Sequence, residues 1–119
     1  MSDAVRISAI AGARRWYWQR ISAMVLALCV VIHLVTIIYA VHAGLTAEAI
    51  LVRTRGSFVV AGFYGLFVLA CAVHVPIGIA NIAREWCGLG GRASLMLSRV
   101  FALMLVVLGA RAIAAVVLP

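Results

Sequence analysis

"ISAMVLALCVVIHLVTIIYAV", residues 21–41, runs twenty-one positions without an Asp, Glu, Lys or Arg. At about 1.5 Å of rise per residue, a helix of that length spans roughly 30 Å, the thickness of the hydrocarbon core of a bilayer. Apolar and polar residues do not alternate along it, so a helix is preferred over a barrel strand. Two further runs repeat the pattern, from about Ser57 to Ile82 and from about Leu95 to Leu118. The pattern predicts an all-α membrane protein with three transmembrane helices, over about 16–43, 57–84 and 94–118. It forms one domain, 1–119, with residues 1–15 as an N-terminal segment outside the membrane. Gly44 and Thr46 mark one link, and Gly88, Gly90 and Gly91 the other.

The composition agrees. Of 119 residues, 67% are hydrophobic and 11% charged, and a soluble domain this small cannot bury so much apolar surface. The net charge of +7 comes from ten arginines and no lysine. In a soluble fold such a balance points to nucleic acid; here the arginines gather at the ends of apolar runs, which points to the membrane surface. Cys29, Cys71 and Cys87 are odd in number and widely spaced, with no CxxC or CxxCH. They therefore suggest no disulfide framework, zinc site or covalent haem. Arg6, Arg14 and Arg15 precede any apolar run, so the first fifteen residues do not read as a cleaved signal peptide.

Arginine also predicts orientation. Arg6, Arg14, Arg15 and Arg20 precede the first helix, and Arg84 and Arg92 flank the second link; the opposite side has Arg53 and Arg55, with Glu48 against them. The positive-inside bias places the N-terminus and the second link in the cytoplasm. Trp16, Tyr17, Trp18 and Trp86 mark the same boundary, where amphipathic rings belong.

Ionisable groups inside a membrane are costly and mark functional sites by default. His33 lies in "CVVIHLVTII", thirteen residues after Arg20, hence roughly 20 Å inside that boundary. His74 lies in "ACAVHVPIGIANIAREW", residues 70–86, ten residues before Arg84, hence roughly 15 Å inside. Neutral imidazole ligates haem iron, and a helix bundle can clamp a macrocycle. Gly78, one turn after His74 on the same face, would let a flat ring approach the backbone, and Pro76 would bend the helix nearby. Equally, either histidine can simply hydrogen-bond to a neighbouring helix. Arg99 and Arg111 can snorkel from the third helix, and Arg111 could instead meet a haem propionate.

The entry to the first helix, "RRWYWQRIS", is the second constellation. Guanidinium and hydroxyl donors from Arg20 and Ser22, beside the wall of Trp18, suit a quinone, whose carbonyls need donors and whose ring needs apolar sides. The same residues also make an ordinary interfacial girdle.

Together, these residues resemble the cytochrome b membrane-anchor subunits of succinate dehydrogenases and fumarate reductases. "WQRIS" is similar to that family's helix-1 entry, and "HVPIGIANIAREW" to its helix-2 pattern. The resemblance implies haem b with His74 as axial iron ligand, Gly78 one turn on, Glu85 where the family usually has Asp, and Arg20 near quinone and propionates. His33 is similar to the helix-1 ligand of two-haem members, which take one histidine from each of four helices. This chain would then supply two and a second membrane-anchor subunit the others, each chain forming half of a haem-binding bundle. Trp16 stands where some relatives have a quinone-binding serine. The resemblance further implies a bacterial inner (cytoplasmic) membrane. A flavoprotein subunit and an iron–sulfur subunit would carry the FAD and Fe–S clusters, and electrons would pass to a membrane quinone near Trp18, Arg20 and Ser22. On the far side, by the same resemblance, His42 or Glu48 would help move protons. Competing expectations are a haem-free structural anchor, a small transporter or channel subunit with a His33–His74 proton relay, and the cytochrome b subunit of another quinone-linked oxidoreductase.

Overall fold

A computed structural model describes residues 2–119, and the described residues are all-helical. Helix α1 spans Asp3–Ala43, α2 Ala47–Thr54, α3 Phe58–Glu85 and α4 Gly91–Val117. The long helices α1, α3 and α4 are each long and apolar enough to cross a membrane.

Two features differ from the sequence expectation. Helix α1 begins at Asp3, so the segment expected to precede the first helix is its first three turns. Residues 4–15, "AVRISAIAGARR", contain no proline and are rich in alanine and arginine; the lone Gly12 weakens a helix without ending it. Asp3 in the first turn also complements the positive end of the helix dipole. The 41-residue helix is about twice as long as a hydrocarbon core is thick. The second feature is α2, eight residues within the first link. Thr46 Oγ1 caps it by accepting from the Ala49 N–H at 3.1 Å, and Glu48 and Arg53 stand in its first and last turns.

The ends of the long helices are set by local chemistry. Gly44, at φ +112°, closes α1 with its N–H on the Ala40 carbonyl, and Gly88, at φ +62°, reverses the chain after α3 so that Leu89 N–H reaches the Ala83 carbonyl at 3.0 Å. Ser57 Oγ caps α3 by accepting from Val60 N–H at 3.2 Å.

Helix α3 is central: it packs on both α1 and α4, which hardly meet each other. At one end Thr54 Oγ1 donates to the Val116 carbonyl at 2.7 Å and Gly56 N–H to Val117 at 2.8 Å, holding the α2–α3 corner to the end of α4. At the other end Arg15 Nη2 donates to Asn81 Oδ1 at 3.3 Å. The α3–α4 contact is lined by small side chains: Ala80, Ala83, Ser94 and Ser98 are buried, and Gly109 lies under Val68. Small residues let membrane helices approach closely where no hydrophobic effect drives them together. Large aliphatic side chains point outward, Leu28 at 63% exposure and Leu103 at 67%, as lipid rather than water would allow.

Candidate functional site

The α1–α3 contact carries the polar groups. Four pairs cross it: Arg15 with Asn81, Gln19 with Gly78, Ser22 with His74, and His33 with Tyr64. In each, residue n of α1 stands beside residue 96 − n or 97 − n of α3, which defines one antiparallel register. On α3 the partners at 64, 74, 78 and 81 all fall on the series 64, 67, 71, 74, 78, 81, which advances by alternating steps of three and four. That spacing keeps them on a single stripe. The two histidines therefore share one polar seam at two levels, ten residues apart on α3 and eleven on α1 between Ser22 and His33, about 15 Å along the helix axes.

At the first level His74 Nδ1 lies 3.3 Å from Ser22 Oγ, and the Ser22 hydroxyl donates to the Gln19 carbonyl one turn back at 3.1 Å. Ser22 is 4% exposed. The His74 Nε2 has no hydrogen-bond partner among the described residues. Above Gly78 the nearest side-chain atom is Gln19 Nε2, 3.5 Å from where a Cβ would stand. Gln19 Oε1 is buried without a partner among the described residues, an arrangement that normally costs about 1–3 kcal/mol.

A cleft of about 310 Å³ adjoins this level, lined by Arg15, Trp16, Gln19, Arg20, Ile77 and Asn81 with Gly12. The Arg20 guanidinium stacks over the Trp16 ring at 4.8 Å. Asn81 Oδ1 accepts from both Arg15 Nη2 at 3.3 Å and Arg84 Nη2 at 3.0 Å. The chain has three acids, Asp3, Glu48 and Glu85, and here the two guanidiniums rest on a neutral amide oxygen. The cleft is thus electropositive with a largely apolar lining, open to an anionic or carbonyl-bearing group. Of the residues expected around a quinone, Arg20 lines it. Trp18 lies outside, half exposed and edge-on to Tyr17 at 5.8 Å, and Ser22 is turned into the seam towards His74.

At the second level His33 Nδ1 pairs with Tyr64 Oη at 2.9 Å, and the imidazole sits edge-to-face against Tyr64 and Phe67, with ring centroids at 5.6 and 6.0 Å. It borders a cavity of about 640 Å³, lined mainly by apolar groups of α1, α3 and α4, with Thr36, Thr54 and Arg53 among its few polar ones. That volume lies within the usual range of about 300–1,000 Å³ for small-molecule sites. Arg53 donates to the Ala43 carbonyl at 3.3 Å and the Gly44 carbonyl at 2.7 Å, closing the end of α1. His42 is exposed and bonded to the Ile38 carbonyl at 2.8 Å; Glu48, Glu85, Arg99 and Arg111 are exposed. No cluster of three or more His, Cys, Asp or Glu is present among the described residues.

Sequence reasoning singled out His74, Gly78, His33, Arg20 and Ser22, but not which of them meet, and it did not reach Tyr64 or Asn81. Gln19, Tyr64 and Asn81 were legible in the three-four stripe of α3 and its counterpart on α1, once the two are set antiparallel. No protein-family profile, curated protein or solved structure matches the chain.

Proposed function

We propose that this chain is a haem b-binding membrane-anchor subunit of a succinate:quinone oxidoreductase, the succinate dehydrogenase and fumarate reductase class, in a bacterial inner membrane. One observation carries the reading: His74, inside an apolar span, is tethered through Nδ1 to Ser22 while Nε2 has no partner among the described residues. An imidazole held by one nitrogen with the other bare is the form in which histidine binds iron. The electropositive cleft beside it supplies a second, adjacent site.

Haem b, when bound, supplies a one-electron carrier within the membrane. His74 would hold it, and Gly78, one turn on, lacks a side chain and so leaves room there for the Gln19 amide. Arg20 and Arg15 neutralise charge that develops on a quinone oxygen, in a medium where such fixed charge acts strongly. The Trp16 ring shields one side of the cleft. His33 is the candidate ligand for a second haem, since its Nε2 also has no partner among the described residues and it borders the larger cavity. The two histidines stand about 15 Å apart along the seam, so they cannot share one iron. A second membrane-anchor subunit would provide the remaining histidines, one at each level. The flavoprotein and iron–sulfur subunits, with FAD and Fe–S clusters, dock at the arginine-rich end, which the positive-inside bias makes cytoplasmic.

The same hydrogen bonds favour one other reading, a haem-free anchor whose histidines only tie α1 to α3 through Ser22 and Tyr64. Haem quantification per complex, purified with its co-expressed partners, separates the two. His74→Ala is expected to remove one haem, and His33→Ala a second. Absence of b-type bands from the wild type would refute haem binding altogether, and full haem content in His74→Ala would refute the assignment of His74.

A further inference from the structure

Ser22 has one proton to give and two neighbours that could take it. The Gln19 carbonyl, one turn back on the same helix, lies 3.1 Å from Ser22 Oγ, and His74 Nδ1 lies 3.3 Å away across the seam. A carbonyl can only accept, whereas an imidazole nitrogen donates or accepts according to tautomer. The shorter contact goes to the group with no choice, so Ser22 donates to Gln19 and its oxygen lone pair faces His74. His74 then satisfies this buried oxygen by carrying its proton on Nδ1. The opposite tautomer would leave two acceptors, the Gln19 carbonyl and a bare Nδ1, competing for the single Ser22 proton, and would put the N–H on Nε2, where no acceptor stands among the described residues. Ser22 is 4% exposed, so water does not supply an alternative partner from bulk.

We propose that Ser22 is a positioning residue that fixes His74 in its Nδ1–H tautomer and thereby presents the Nε2 lone pair outward as a metal ligand. The tautomer follows from the hydrogen bonds of this chain alone; its use for iron rests on the haem reading above. The assignment moves Ser22 from the quinone, where the helix-1 motif pointed, to the shell behind the imidazole. Partners of that kind orient the ring and raise its basicity, and losing one typically weakens metal binding about 10- to 100-fold.

Two measurements test this. In the full chain, ¹⁵N-histidine-labelled and reconstituted in lipid bilayers, solid-state NMR distinguishes Nδ1–H from Nε2–H, with His74→Ala identifying the signal. The wild type is expected to show Nδ1–H, Ser22→Ala to lose that preference, and Ser22→Thr, which keeps the hydroxyl, to restore it. An Nε2–H tautomer in the wild type, or an unchanged one in Ser22→Ala, overturns the proposal. In the purified complex, Ser22→Ala is expected to weaken haem retention about 10- to 100-fold and to shift the ferric low-spin EPR signal, with Ser22→Thr close to wild type. If His74→Ala loses haem while Ser22→Ala holds it with an unchanged EPR signal, the ligand assignment stands and the role of Ser22 falls. If His74→Ala keeps its haem, both fall.

Discussion

Helices α3 and α4 are in close contact at Gly109, and replacing that glycine by alanine is expected to push them apart. A Cβ at Gly109 would stand 2.6 Å and 2.9 Å from the two γ-methyls of Val68 and 3.3 Å from its Cβ. Ordinary carbon contacts lie near 3.5–4.0 Å, so the gap must open by about 1 Å. Valine cannot make way by turning: in a helix its χ1 is nearly always in one well, and any other staggered position still aims at least one methyl at the intruder. The strain therefore falls on the helix axes, at about 1–3 kcal/mol for an overpacked contact. Against it stands the helix preference of alanine over glycine, about 1 kcal/mol. Gly109→Ala alone should then range from neutral to about 2 kcal/mol destabilising. In a Val68→Ala background, where both methyls are gone, the same change should stabilise by up to about 1 kcal/mol. SDS titration followed by far-UV circular dichroism in bicelles measures all four corners of this cycle. The coupling between the two positions is expected at about 1–3 kcal/mol. A coupling below about 0.5 kcal/mol, the level of independent sites, would show that Gly109 and Val68 do not meet and that the α3–α4 register is wrong.

Three other perturbations follow from the same structure. Arg53→Ala removes two charge-assisted bonds from the carbonyls that end α1; since the side chain is half exposed, a loss of about 1–2 kcal/mol is expected, with faster proteolysis at Gly44–Thr46. Gly78→Ala is expected to leave the stability of the chain within about 1 kcal/mol of wild type, because its new Cβ meets only the end of the Gln19 side chain at 3.5 Å; a larger loss would mean that α1 lies closer to Gly78 than the seam allows. Cys87, exposed in the turn after α3, should react with impermeant maleimide from the cytoplasmic side, and a cysteine placed at Leu45 from the opposite side; the reverse pattern would overturn the orientation drawn from the arginines.

The three long apolar helices were legible because their signal is local. A run such as 21–41 must satisfy its own backbone in lipid, and a helix does this within a single segment. The turns were legible for a similar reason, since Gly44 and Gly88 adopt positive φ, which disfavours other residues. Helix α2 and the first three turns of α1 were less visible, because neither is apolar enough to span. Their signals are the Thr46 cap with Glu48 and Arg53, and an unbroken stretch without proline.

The choice of His74 and His33 as unusual residues needed only their depth in apolar runs. What they touch depended on the rotation of α1 against α3, a relation between residues 52 and 31 positions apart that no run of hydropathy encodes. Ser22 shows the difference. Its place in "WQRIS" pointed towards the cleft, yet it lies one helix face away from Arg20, and only the packed pair reveals that its oxygen is turned to an imidazole. Backbone hydrogen bonding and lipid exclusion act segment by segment, so one chain of letters is enough to read them. Side-chain pairing across a seam arises only when two helices have settled on a register, and that decision belongs to the tertiary structure.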